Sequence, residues 1–244
     1  VLNAQFAQDG VNAAIIPIQA SRDHLGTMMA AFRAMENLGG LIVSHPYKIA
    51  AAAFCDELSA RAEAVGSVNA IRREPDGRLI ADMFDGIGFI AGLSSHGHRV
   101  HGRHVLLSGT GDAAAAVAFA LAESNVASMT VAGQDVAQAR DIVARVATLF
   151  PRLDIHMGSA NPAGHDLIIN TASLDAWTRD PAPLDVASLA PGMLAAETLS
   201  TPDETPFLCA AAAKGCTVHY GRYMLDAQLR LISDFIGASS GTPD

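Results

Sequence analysis

The segment Gly109-Thr110-Gly111-Asp112-Ala113-Ala114 spells GxGxxA directly after an apolar run and ahead of an alanine-rich stretch. In such a loop the first glycine permits a tight turn and the second lets a pyrophosphate approach the backbone. The small Ala114 lets helix and strand pack closely. The helix that follows offers unsatisfied N–H groups to phosphate. A plain glycine-rich turn has the same spelling, but the strand-loop-helix context favours a dinucleotide. The choice of dinucleotide is read at the end of the next strand, where an acidic residue favours NAD and an arginine favours NADP. That segment is Ala132-Gly133-Gln134-Asp135, without arginine, so NAD is expected ahead of NADP. Asp135, with Gln138 three residues on, is equally placed to cap the next helix, and the two roles are compatible.

Three other segments carry groups able to hold or move a proton. In Ser44-His45-Pro46-Tyr47-Lys48, the lysine falls in the first turn of a predicted helix. The positive end of the helix dipole disfavours its ammonium form and suits it to proton exchange near neutral pH. An ordinary exposed lysine is the plain alternative. In Asp82-Met83-Phe84-Asp85-Gly86-Ile87-Gly88-Phe89, Asp85 stands between a strand end and a helix start, where a capping aspartate is equally common. In Gly66-Ser67-Val68-Asn69, Asn69 lies on a predicted strand, and burial there requires that it be hydrogen-bonded.

These residues need a frame, and apolar periodicity supplies one. Leu25, Met28, Met29, Phe32 and Met35 form the stripe of a helix over 21–38 that ends at Gly39-Gly40. A strand over 41–43, a helix over about 47–64, and strands over 67–73 and 79–83 joined by a Pro75-Asp76-Gly77 turn follow. Another helix starts near Gly86. The polar stretch 94–102 reads as a connector. Beyond it strands over 105–108, 128–132, 153–157 and 166–170 alternate with helices over 112–123 and 136–149. A strand over 193–197, a helix over 206–214, a strand over 217–219 and a helix from Met224 complete the chain, with 239–244 expected to fray. The alternation argues a doubly wound, Rossmann-type parallel sheet. The expected fold class is α/β in two domains. An N-terminal α/β substrate domain spans 1–93 and is completed by 224–244, and a dinucleotide-binding domain spans 94–223. The active site is expected in a cleft at the carboxyl ends of the nucleotide-domain strands.

Composition narrows the partners. The 244 residues carry 16 Lys+Arg against 25 Asp+Glu, a net charge of −9, and half of them are apolar. That describes a folded chain and disfavours nucleic acid, which needs a basic face. The longest apolar run, Ala113–Ala122, has ten residues, whereas a membrane span needs about 20. Three cysteines without a CxxC fit a reduced, cytoplasmic setting. Cys209 and Cys216 are expected as core thiols. His96, His98, His101 and His104 cluster, but with no cysteine or carboxylate at ligand spacing they read as solvated connector residues, and no metal is expected. A small-molecule partner and a monomer or homodimer are expected.

Taken together, these segments resemble the shikimate dehydrogenase family, in order along nearly the whole chain. The family's V-T-x-P-x-K is similar to Val43-Ser44-His45-Pro46-Tyr47-Lys48, its G-A-V-N to Gly66-Ser67-Val68-Asn69, and its D-N-T-D-G-x-G-F to Asp82 through Phe89. Its loop G-A-G-G-A is similar to Gly109–Ala113, its T-P-L-L to Thr205-Pro206-Phe207-Leu208, and its G-x-x-M-L-x-x-Q to Gly221, Met224, Leu225 and Gln228. The resemblance implies an NAD(P)-dependent oxidoreductase acting on a hydroxyl of a cyclic polyol carboxylate. It implies Lys48 and Asp85 as catalytic pair, and Ser44, Asn69 and Gln228 as substrate contacts. It sets Asn170-Thr171-Ala172, Gly221 and Met224 beside the nicotinamide, with Gln134 and Asp135 at the adenosine end.

The departures shape the expected substrate. Met83-Phe84 replace the family's Asn-Thr, two polar groups that could face a polyol, and Ser200 replaces a late tyrosine. Val1-Leu2-Asn3 line up with the family's first helix, so the first strand and its carboxylate-binding turn are expected before residue 1. Besides a shikimate- or quinate-like substrate, an aminated analogue or another hydroxy acid stays open. So does a catalytically idle NAD-binding protein.

Overall fold

The computed structural model describes residues 2–178 and 183–237; the stretch 239–244 lies outside the described residues. The chain forms two compact units, one of residues up to Phe84 with those from Gln228, the other Asp85–Ala227.

The first unit contains α1 (Leu2–Asp9), α2 (Leu25–Ala34), β1 (Gly40–Ile42), α3 (Lys48–Ala52), β2 (Glu57–Leu58), α4 (Ala60–Val65), β3 (Ala70–Arg73) and β4 (Leu79–Asp82). Its sheet runs β1-β3-β4-β2, with β1–β3 and β3–β4 antiparallel and β2–β4 parallel. Phe6, Met29, Phe32, Val65, Ile71 and Leu79 are buried. The α2 stripe is shorter than expected. Met35 turns extended (ψ 107°), ending the helix, and is 43% exposed. The expected helix over 47–64 is two helices around β2. Asp56 interrupts it, accepting the Leu79 N–H at 2.7 Å and pairing with Arg33, while the Ser59 hydroxyl caps α4. A side chain bonded to a distant strand outcompetes local helix propensity.

The second unit contains α5 (Asp85–Ser95), β5 (His104–Ser108), α6 (Asp112–Glu123), β6 (Ser128–Ala132), α7 (Val136–Leu149), β7 (Asp154–Met157), β8 (Leu167–Asn170), β9 (Leu194–Glu197), α8 (Pro206–Ala213), β10 (Thr217–His219) and the first half of α9 (Gly221–Phe235). All six strands are parallel, in the order β10-β9-β8-β5-β6-β7. The central β8 and β9 are buried throughout, as a sheet covered on both faces demands. Leu106, Ala132, Ile168 and Ala195 meet Phe207, Leu208 and Ala211 of α8. The divide between units falls at 84/85, not 93/94, because α5 packs on α6. Gly86 sits so close to the Ala116 carbonyl that a Cβ there would collide. The stretch 94–102 therefore lies inside the second unit.

Candidate active site

Within the first unit three of the singled-out segments converge on one residue, through its backbone and its side chain. Asn69 is fully buried. Its carbonyl accepts the Val43 N–H at 2.8 Å, its own N–H donates to the Asp82 carbonyl at 3.0 Å, and its Oδ1 accepts the Phe84 N–H at 2.8 Å. One residue earlier, the Val68 N–H donates to the Lys48 carbonyl at 2.9 Å. The Ser44–Lys48 turn and the Asp82–Phe84 segment are thus hung on Val68-Asn69. Lys48 is half-buried at the start of α3, Ser44 is exposed, and Gln228 is half-buried on α9.

Met83 and Phe84 face inward. Met83 is fully buried and Phe84 is 5% exposed. The Phe84 ring lies 5.3 Å from that of Phe235, with the Arg61 guanidinium over it at 5.2 Å. Arg61 also donates to the Met83 carbonyl at 2.7 Å and pairs with Asp82 at 2.6 Å. No spacing in the sequence points to Arg61, whose partners lie more than 20 residues away. Asp85, the next residue, opens the second unit at the first turn of α5 and is 2% exposed.

In the second unit the segment Gly109–Ala114 forms a tight turn from β5 into α6. Gly109 has φ +117°, and a Cβ on it would collide with the Thr171 hydroxyl, so only glycine serves there. Gly111 is the extended N-cap of α6, and a Cβ there would meet nothing within 4 Å. Ala114 is fully buried under it. This loop and the 170–172 turn leave neighbouring strands β5 and β8, where Ser108 pairs with Asn170. The chain order reverses at that place in the sheet, which is where open α/β sheets bind ligands. The Thr171 hydroxyl donates to the Ser108 carbonyl at 2.8 Å, holding the two loops together. Thr110, Asp112, Ala113, Thr171 and Ala172 are half-buried, and Gln134 and Asp135 are exposed. Asp135 caps α7, its Oδ1 accepting the Gln138 N–H at 3.0 Å.

Asn170 ends β8. It is fully buried, and its amide donates to both oxygens of Glu197 at 3.1 and 2.9 Å, so the side chain shapes the loop from inside. Burial pushes the Glu197 carboxyl up, against the pull of its hydrogen bonds. Gly221 opens α9 packed on the Leu199 carbonyl, and Met224 is 6% exposed.

His96, His101 and His104 are exposed, as expected of solvated histidines, and His98 is half-buried. His96 also stacks on Tyr223 at 3.6 Å, and His96 and His98 stand edge-on to the buried His219 at 5.5 and 5.6 Å. Among the described residues no group of three His, Cys, Asp or Glu side chains could hold a metal ion. No described helix is long and apolar enough to cross a membrane. Cys216 is buried but Cys209 is exposed, which corrects its placement in the core.

Residues 1–71 match the model of the shikimate dehydrogenase substrate binding domain. The chain is 34% identical over 228 residues to a shikimate dehydrogenase (NADP(+)) of Rhodospirillum rubrum, covering 90% of this chain and 80% of that protein. It belongs to the shikimate dehydrogenase family. Members of known structure share its fold. The ligand-free 5-ketofructose reductase of Gluconobacter sp. strain CHM43 superposes with a TM-score of 0.86 at 27% identity, covering 98% of this chain and 87% of that one. Quinate dehydrogenase from Corynebacterium glutamicum, in complex with NAD, gives 0.79 at 26% identity, covering 91% and 80%. As a member of the shikimate dehydrogenase family, the chain is an oxidoreductase acting on CH–OH with NAD(P). The open space over Gly111, at the N-terminus of α6, fits the pyrophosphate of such a cofactor.

Proposed function

We propose that this protein catalyses reversible hydride transfer between a nicotinamide dinucleotide, NAD ahead of NADP, and a hydroxyl of a shikimate- or quinate-like cyclic hydroxy acid. Lys48 and Asp85 are the catalytic pair. The observation that carries this reading is the convergence on Asn69, which fixes the turn before Lys48 and the segment that ends one residue before Asp85. Lys48 takes the hydroxyl proton, and Asp85 orients Lys48 and hydrogen-bonds the same hydroxyl. Ser44, Asn69 and Gln228 hold the substrate, Asn69 with one side-chain oxygen already engaged by Phe84. The bound dinucleotide supplies the hydride acceptor or donor. Gly109–Ala113 would hold its pyrophosphate, Gln134 and Asp135 its adenosine end, and Thr171, Ala172, Gly221 and Met224 its nicotinamide end. The absence of arginine at 133–135 supports NAD.

A second reading keeps the chemistry and changes the substrate. It is favoured by Phe84, whose ring is packed by Phe235 and Arg61 where most of the family carries a small polar residue. With the family's two polar groups gone, a neutral sugar ketone such as 5-ketofructose, the compound named for one structural relative, stands beside the polyol carboxylates as a candidate. The test is a panel of shikimate, quinate, an aminated shikimate analogue and 5-ketofructose, each assayed with NAD(H) and NADP(H) by NADH absorbance. Turnover of shikimate or quinate is the expected result. Turnover of the sugar alone moves the assignment to the second reading, and dinucleotide binding without turnover of any member overturns both.

A further inference from the structure

We propose that Glu197 is a positioning residue whose buried carboxylate fixes the two segments, Asn170–Ala172 and Gly221–Met224, that would hold the nicotinamide end of the dinucleotide. The inference rests on the dinucleotide reading above.

Glu197 ends β9 and is fully buried. Each of its neighbours is a donor. Asn170 Nδ2 reaches both oxygens, the Thr198 and Leu199 N–H groups reach Oε1 at 2.8 and 3.1 Å, and the Thr205 hydroxyl reaches Oε2 at 3.0 Å. An ionised carboxylate accepts all of these, whereas a carboxamide in its place would set its own donor against one of them. Among the described residues no lysine or arginine pairs with it. A buried charge without a cation is expensive, and here the return is geometric.

From Glu197 the bonds run outward to the two segments. Asn170 stands opposite it in register on β8. Held by its amide, Asn170 uses Oδ1 to accept the Ala172 N–H at 3.2 Å, and its carbonyl accepts the Thr198 N–H and hydroxyl, each at 3.1 Å. That closes the turn carrying Thr171 and Ala172. On the other side the carboxylate sets Leu199, and Gly221 lies against the Leu199 carbonyl so closely that a Cβ would collide with it. The position of Leu199 therefore sets the start of α9 and Met224 behind it. The Glu197 side chain is bonded both to the 170–172 turn and to the Leu199 backbone.

The full chain is used to test this, with direct binding of NADH and of ADP-ribose, which lacks the nicotinamide. In Glu197→Gln the affinity for ADP-ribose stays as in the parent. The ratio of NADH to ADP-ribose affinity falls about tenfold, the loss expected when one charge-assisted bond is replaced by a donor clash. Asn170→Ala cuts the same link and lowers the ratio alike, and the double variant is no worse than either. An unchanged ratio in folded Glu197→Gln overturns the proposal. So does a parallel loss of ADP-ribose binding, which marks a merely structural role. If Glu197→Gln does not fold, Asn170→Ala is judged by the same two criteria. A parent protein that binds neither nucleotide overturns the dinucleotide reading and the proposal with it.

Discussion

Asn69 takes the backbone N–H of Phe84 onto its side-chain oxygen at 2.8 Å, fully buried. Asn69 lies just before β3, not on it, and that bond ties the start of β3 to the residue immediately before Asp85. Removing the oxygen leaves a buried donor unpaired, which costs about 1–3 kcal/mol. Asn69→Ala is therefore expected to lose about that much in urea unfolding and to lose turnover as well. The Phe84 amide is expected to exchange with solvent hydrogen faster in Asn69→Ala than in the parent. Equal exchange in the two proteins would remove the bond from the account.

Lys48→Ala tests the proton acceptor. General acid–base groups contribute about 10²–10⁴-fold, and kcat is expected to fall within that range while NADH affinity is unchanged. The second half of the prediction separates catalysis from folding, because the phosphate loop belongs to the other unit. Parent-level turnover in this variant would end the assignment of Lys48.

The two loop glycines are expected to fail in different ways. Gly109 has φ +117° with the Thr171 hydroxyl against it, so Gly109→Ala is strained and crowded and should lower the melting temperature. Gly111 is extended, with nothing within 4 Å of an added Cβ. Gly111→Ala should melt like the parent but lose NADH affinity by about tenfold or more, because the methyl occupies the approach to the α6 amides. Differential scanning fluorimetry with and without NADH reads both outcomes. A Gly111→Ala variant that binds normally would remove that loop from the cofactor site.

The parallel sheet and its loop were legible because its central strands are apolar runs and α7 and α8 start at the capping residues Asp135 and Thr205; helices over 112–123 and 136–149 begin and end where the pattern sets them. The first unit was less so. The alanines of 50–64 read as one helix, and only the tertiary partners of Asp56, Arg33 and the Leu79 N–H, show why it breaks. Asn69 announced itself as a polar residue on a predicted strand. Glu197 did not, because its partner Asn170 lies 27 residues upstream and the bond between them exists only once β8 and β9 are paired. Met83-Phe84 were legible as a departure, but their direction was not. Arg61 and Phe235 turn the Phe84 ring into the unit's interior.

The stability of the second unit is expected to depend on pH through His219. The ring is fully buried, and neither nitrogen has a hydrogen-bond partner among the described residues. Phe89, His96, His98 and Tyr223 face it, and Arg103 acts on His98. Burial first, then the charges of His98 and His96, push its pKa from the ordinary 6.5 down to about 4. On acidification the unfolded chain therefore takes up a proton near pH 6.5 that the folded chain refuses until about pH 4. Stability falls across that window and levels off below it. The buried Glu197, with its carboxyl raised, has the opposite sign, because the folded state holds that proton to higher pH than the unfolded chain does. Both variant and parent carry Glu197, so it cancels in their difference. His219→Phe removes the titrating ring and keeps an aromatic face toward Phe89 and Tyr223. Urea unfolding from pH 7 to pH 4 should show a shallower loss in the variant than in the parent. His98, lowered for the same reasons, accounts for part of the slope that remains. Identical slopes in the two proteins would mean that water reaches the ring and that it titrates alike folded and unfolded.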